Sequence, residues 1–326
     1  MSSLAPPVPA PPVRHYRDSD LPALLDLMGR MTPSGNTPGE KEFREAFNDP
    51  KHGRNPCRDL LVKAHPGGGV DGFVALYRED EFFTALGPFL APDLSVRHRP
   101  CAHALLRSAE HLAAERGWRS LRFEVDGSDH ERRIVLHNRG YREVRIYRRM
   151  ELSDLSAGLA LTDANLVQGA ENADSKVETL ASYADRNTFS PATTLGALLD
   201  EALGGTWMFR PHGERGATDR LARHGAGAER VLVAVDAKSD EAVGFIEWSL
   251  RPGNEAFLDD IGVREIARRQ GWGRRLMKAG LSAMSTEGAR RVRLDVDNEN
   301  RPARWLYRRF GFHDVGTVRY LALRLD

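Results

Sequence analysis

The chain repeats itself once. Residues 121–141 (LRFEVDGSDHERRIVLHNRGY) lie over residues 292–312 (VRLDVDNENRPARWLYRRFGF) without a gap, at a constant offset of 171 residues. Arg122 falls on Arg293, Val125 on Val296, Asp126 on Asp297 and Gly140 on Gly311. Upstream, the same offset puts Arg97 on Arg268, Leu105 on Leu276 and Gly117 on Gly288, and after a one-residue slip Gly72-Phe73 meets Gly244-Phe245. A period this long describes two domains rather than a solenoid, whose repeats are far shorter. The 326 residues suffice for two cores of ordinary size. The expected division is a Pro/Ala-rich tail over 1–12, a first domain over 13–151, a linker over 152–162 and a second domain over 163–326.

Composition narrows the function classes. Hydrophobic residues make up 41% and charged residues 29%, the balance of a globular protein. The formal net charge is +1, so no global basic field recruits nucleic acid, and no nucleic-acid partner is expected. No apolar run reaches the length of a membrane span, so no membrane partner is expected either. The tail lacks the positive start of a signal peptide, which makes cytoplasm the expected compartment. Cys57 and Cys101 form no CxxC pair, and the eleven histidines form no HxH or HxxxH pattern; no metal is expected.

Both halves show one order of elements. Residues 13–17 and 164–170 read as opening strands, and 21–28 and 175–185 as amphipathic helices. Residues 60–63 and 73–77, like 231–235 and 243–248, read as hairpin partners across turn-forming stretches. Helices over 100–116 and 271–287 run up to Gly117 and Gly288, as helix ends do.

One stretch carries chemistry. A strand ends near Val263, a short loop follows, and Arg268-x-x-Gly271-x-Gly273 opens an amphipathic helix. The first turn of a helix has unpaired N–H groups and a partial positive charge. Glycines there let the backbone approach an anion closely, and Arg268, Arg269 and Arg274 add charge suited to phosphate.

This segment resembles the acyl-CoA-binding motif of the GNAT superfamily of N-acetyltransferases, Arg/Gln-x-x-Gly-x-Gly/Ala. Leu294-Asp295-Val296 is similar to the family's next strand, and Asn300-x-x-Ala303-x-x-Leu306-Tyr307-x-x-Phe310-Gly311-Phe312 to its next motif. The resemblance covers 231–320 well and 164–230 only in layout. It implies an α/β (α+β) fold of two tandem GNAT-like domains, each a mixed, mostly antiparallel central sheet flanked by helices. It implies acetyl-CoA as acyl donor, with Ile261, Gly262 and Val263 along the pantetheine. Gln270, Gly271, Trp272, Gly273 and Arg274, with Arg268 and Arg269, would hold the pyrophosphate, and Asn300 and Ala303 would complete the site. Tyr307 falls where the family often carries the acid that protonates the leaving thiolate. A backbone N–H near Val263 would stabilise the oxyanion.

The general base stays open among Asp260 on the fourth strand (beside Asp259), Asp295 on the fifth and Glu247 on the third; any of them can instead serve a salt bridge. The first copy is degraded. Pro100 and Ala102 stand where Gly271 and Gly273 stand, Leu136 replaces Tyr307 and Asp129 replaces Asn300, while Glu124 keeps the carboxylate of Asp295. Proline removes a backbone N–H that a phosphate would use. A structural first domain follows, in a monomer that is internally a pseudodimer, or in a homodimer.

The expected reaction is acetyl transfer to a primary amine of a small molecule. The alternatives are transfer to a protein or peptide amine, and a non-catalytic acyl-CoA sensor. The acceptor region is expected over 187–229, as a flexible flap containing Phe189, Trp207, Met208 and Phe209.

Overall fold

The structure is a computed structural model. It describes residues 13–31, 39–48, 54–79, 82–90, 99–166, 175–207, 209–223 and 227–325. The strands are β1 (Val13–His15), β2 (Leu60–Ala64), β3 (Val70–Glu79), β4 (Phe82–Leu90), β5 (Ser120–Asp126), β6 (Arg142–Leu152), β7 (Ser175–Thr179), β8 (Val231–Asp236), β9 (Glu241–Arg251), β10 (Glu255–Val263), β11 (Arg291–Asp297) and β12 (His313–Arg324). The helices are α1 (Leu21–Met31), α2 (Glu40–Phe47), α3 (Pro56–Asp59), α4 (Arg99–Glu115), α5 (His130–Asn138), α6 (Leu155–Leu166), α7 (Leu180–Asn187), α8 (Pro191–Leu203), α9 (Gly213–Arg223), α10 (Trp272–Thr286) and α11 (Arg301–Arg309). No described helix is long and apolar enough to cross a membrane.

The chain divides into two compact units, and the division does not follow the sequence halves. The first takes in residues up to Ile146 together with Thr317–Asp326; the second runs from Tyr147 to Gly316. The first unit's sheet runs β1-β2-β3-β4-β5 and closes with the chain's last strand, Val318–Arg324 lying antiparallel to β5. The second unit's sheet runs β7-β8-β9-β10-β11 and closes with the end of β6, whose residues Tyr147–Leu152 lie antiparallel to β11. Each sheet is mostly antiparallel. The parallel pairs are β4 with β5 in the first unit and β10 with β11 in the second.

Both sheets are buried on two faces, and the strand sequences say why. All of Val231–Val235 is buried: Val231, Val233 and Val235 belong to one core, Leu232 and Ala234 to another. A strand covered on both sides needs apolar residues at every position, not in alternation. In the second unit, α10 covers one face with Leu276, Met277, Leu281 and Met284 against Trp248, Val292 and Leu294. The other face carries α7 and α8, with Leu195, Leu198 and Leu199 against Val233 and Phe245. Burying each leucine contributes roughly 1.5–3 kcal/mol, and truncating one such as Leu276 to alanine costs about 2–5 kcal/mol. In the first unit α4 packs one face around Phe123, and α1 with α2 packs the other around Phe73.

Three sequence readings differ from what is found. Residues 155–166 of the expected linker and opening strand form α6, and 167–174 lie outside the described residues. The expected helix over 175–185 begins as strand β7; its helix starts only at Leu180, where the Thr179 side chain accepts from the Ser182 N–H at 3.1 Å. Val177 and Thr179 favour the strand by their branched side chains, and threonine caps the helix that follows. The expected flap over 187–229 contains two helices, α8 and α9.

Candidate functional site

The site begins where two strands part. β10 and β11 pair in parallel over Glu255–Phe257 and Arg291–Arg293 only. Beyond that, β10 stays in register with β9 as far as Val263, while β11 stays in register with β6 as far as Asp297. A bulge between Leu258 and Asp260 helps β10 away, because an extra residue bends and twists a strand. The β10–β11 ladder thus ends before Leu258 and Leu294, and parted strand edges are a recurring place for an extended ligand.

The glycine motif sits at the open end. The backbone turns left-handed at Arg269 (φ 65°) and again at Gly271 (φ 84°), and α10 starts at Trp272. A non-glycine residue at positive φ costs on the order of 1–3 kcal/mol, a strain typical of functional turns. The first turn of a helix has N–H groups without helical partners and a partial positive charge, which together favour an anion. Gly273 lies against Leu306 of α11, where a Cβ would come within 3.5 Å. Trp272 is buried beneath Arg275, whose guanidinium lies 4.8 Å from the ring centroid.

The expected donor-site residues fall into distinct places. Gln270 and Arg269 are exposed at the turn. Arg268 is tied back to the protein: Nε donates to the Val263 carbonyl and Nη2 to the Ala202 carbonyl, both at 3.1 Å. Those bonds fasten the glycine turn to the ends of β10 and α8. Arg274 is half-buried on the first turn of α10. Ile261 and Val263 pack on the core shared with α10, and Gly262 is buried on the opposite side of the strand. A Cβ on Gly262 would meet Ala202 Cβ at 2.7 Å and Phe245 Cε1 at 2.8 Å, so only glycine lets α8 lie this close. Asn300 caps α11, its side chain accepting from the Ala303 N–H at 3.2 Å.

The carboxylates separate by environment. Asp260 and Glu247 are register partners across β10 and β9. Between them comes Arg220 from α9: its Nε donates to Glu247 Oε2 at 2.6 Å and its Nη2 donates to Asp260 Oδ2. Glu247 is 1% exposed and Asp260 half-buried. Burial lifts Asp260 above the usual carboxylate range, and the negative Glu247 adds to this against the pull of Arg220. Asp259 occupies the bulge and accepts from Ser249 Oγ at 3.4 Å. Asp295 is more exposed and lies 3.5 Å from Arg149 Nε of β6.

Tyr307 is buried on α11, its ring centroid 5.9 Å from that of Phe312. Burial raises its phenol well above its ordinary value, and the negative charge of Asp260 raises it further. Sequence reasoning missed Arg220, which belongs to a charged, irregular stretch of no recognisable motif. The acceptor-region aromatics are dispersed: Phe189 is exposed, Trp207 stands 6.1 Å from Tyr147, Phe209 stands 5.7 Å from His212, and Met208 lies outside the described residues. In the first unit, Leu136 is buried in the core beside α4, Asp129 caps α5, and Arg97 lies outside the described residues.

Comparison with known proteins agrees with this geometry. Residues 178–312 match the acetyltransferase (GNAT) family model. The mycothiol acetyltransferase of Corynebacterium diphtheriae is 37% identical over 90 residues, 26% of this chain and 29% of that protein. The type 1 aminoglycoside N(6')-acetyltransferase of Klebsiella aerogenes is 38% identical over 96 residues, 27% of this chain and 62% of its own. The chain thus matches less than a third of the length of the first relative and under two thirds of the second. A GCN5-related N-acetyltransferase from Sphaerobacter thermophilus superposes over 96% of this chain and 95% of its own, with a TM-score of 0.72 at 18% identity. A tandem GNAT protein from the clavulanic acid biosynthesis pathway superposes over 97% and 98%, with a TM-score of 0.67 at 18% identity. At such identities the superpositions establish the fold. Residues 178–312 of this chain belong to the GNAT acetyltransferase family.

Proposed function

We propose that the chain is an acetyl-CoA-dependent N-acetyltransferase that acetylates a primary amine of a small molecule, and that its working site lies in the second unit. The observation that carries this reading is the parting of β10 from β11 beside the left-handed turn at Arg269 and Gly271, with the Asp260 carboxylate carried on the diverging strand. The fit to the donor rests on two features of this chain. The parted edges of β10 and β11 suit an extended amide-bearing arm, and the left-handed turn at Arg269 and Gly271 suits a pyrophosphate.

Acetyl-CoA supplies the activated acetyl group as a thioester. The acceptor arrives as an ammonium and must lose a proton before it attacks. Asp260, its pKa raised by burial, takes that proton more readily than an ordinary aspartate. A backbone N–H near Val263 would stabilise the oxyanion. Tyr307 stays a phenol throughout the working range. Full transfer of its proton to a thiolate, whose ordinary pKa is about 8.5, runs uphill, so its contribution is a hydrogen bond that strengthens as charge builds on the leaving sulfur.

The small-molecule acceptor is supported by the relatives, whose names are those of a mycothiol and an aminoglycoside acetyltransferase. The test is thiol release from acetyl-CoA against a panel of aminoglycosides, polyamines, amino acids, amino sugars and short peptides. Release dependent on one small amine class, and abolished by Gly271→Pro, is expected. Release with peptides alone moves the acceptor to protein; donor binding with no release from any amine rejects the enzyme reading.

A further inference from the structure

The acceptor side of this site holds a group that the reaction scheme has not used. α9 docks on α8 through hydrogen bonds and a close backbone contact. Asp200 accepts from the His212 N–H at 2.6 Å and from the Gly213 N–H at 3.2 Å. A Cβ on Gly196 would lie 2.6 Å from the Gly213 carbonyl oxygen, so the two helices meet backbone to backbone. This docking delivers Arg220, 15% exposed, between Glu247 and Asp260. Glu247 has almost no contact with solvent, so its charge depends on the protein for stabilisation.

We propose that Arg220 is the positioning residue for proton transfer at Asp260: it keeps Glu247 ionised and orients Asp260, leaving the pair one net negative charge that matches a single ammonium. This rests on the reading of Asp260 as the base. Two carboxylates and one guanidinium sum to −1, which one protonated acceptor amine neutralises. Without Arg220 the two register partners sum to −2 in a poorly solvated place, and like charges this close do not both stay ionised. The proton then resides on the pair, and Asp260 is no longer available to take one from the acceptor.

The groups that set the charge around Asp260 come from several elements. Arg220 comes from α9, Glu247 from β9, His212 from the turn before α9, Tyr307 from α11 and Asp259 from β10 itself. Asp200 of α8 is engaged with the backbone of His212 and Gly213. α8 presents Ala202 at Gly262, and α10 packs on the opposite face through Leu276 and Met277.

The test uses the full chain with Arg220→Gln, Arg220→Lys and Asp260→Asn, each checked for native circular dichroism. Infrared difference titration, with Asp260→Asn as reference, reads the Asp260 carboxyl directly and needs no acceptor. Arg220→Gln is expected to move its midpoint up by at least about one pH unit, and Arg220→Lys to return it part of the way. With an active amine, the acid limb of kcat/KM should move by the same amount while KM for acetyl-CoA stays put. An unchanged midpoint in Arg220→Gln, or a loss of turnover equal at every pH, overturns the proposal. If no amine is acetylated, the infrared titration still decides the role of Arg220, so its failure and that of the proposed function are separate results.

Discussion

Arg149 of β6 lies opposite Asp295 of β11 in the strand register, with Nε 3.5 Å from Oδ1. A residue of the sequence's first half thereby closes the sheet that carries the candidate site. Arg148 beside it donates to Asn298 Oδ1 at 2.8 Å, and Glu151 accepts from Arg293 Nε at 2.7 Å. A fragment beginning at Leu155 lacks this strand and leaves β11 an open edge with unpaired backbone groups, the usual template for aggregation. Such a fragment should be recovered aggregated, or folded without cooperativity, by size exclusion and thermal melting. A monodisperse fragment with a sharp transition would show that β6 is dispensable.

Tyr307→Phe removes one hydroxyl from a buried ring and leaves its packing on Phe312 in place. Turnover should fall at least about tenfold with KM for acetyl-CoA nearly unchanged, because the hydrogen bond matters only as the sulfur leaves. Equal falls in turnover and donor affinity would make Tyr307 a binding residue instead.

The glycine turn gives a sharper test of the donor site. Gly271 has φ 84° and open space where a Cβ would stand, so Gly271→Ala strains the backbone without a clash. Its effect on stability should be on the order of 1–2 kcal/mol. Gly271→Pro also removes an N–H and cannot adopt positive φ, so acetyl-CoA binding measured by calorimetry should be lost. Retained binding in the proline variant would place the pyrophosphate elsewhere.

Much of this site was readable because its parts lie close together in the chain. Gly271, Gly273, Asn300 and Tyr307 fall within two adjacent strand–helix units whose spacing the backbone dictates. Arg220 had no such signal: it reaches Glu247 and Asp260 only because α9 docks on α8, a tertiary event with no periodicity of its own. The exchanged strands were hidden for a related reason. Nothing local in the sequence of 142–152 or 313–324 says which strand edge either will pair with. The misplaced opening strand shows the limit of short apolar runs, since 155–166 is helical although its sequence offers no clear stripe of either period.

The raised Asp260 makes stability a function of pH. Its value in the folded chain is above that of the unfolded chain, so between the two the folded state binds more protons. Stability from this residue is therefore present at acid pH and is lost as pH rises from about 4 through the folded value. Asp260→Asn removes that titration while leaving Arg220 paired with Glu247. Across pH 4 to 8, the melting temperature of the native chain should fall relative to that of Asp260→Asn, and the difference should level off once Asp260 is ionised. Parallel profiles for the two proteins would mean that Arg220 fully offsets the burial, and that Asp260 enters the reaction as an ordinary carboxylate.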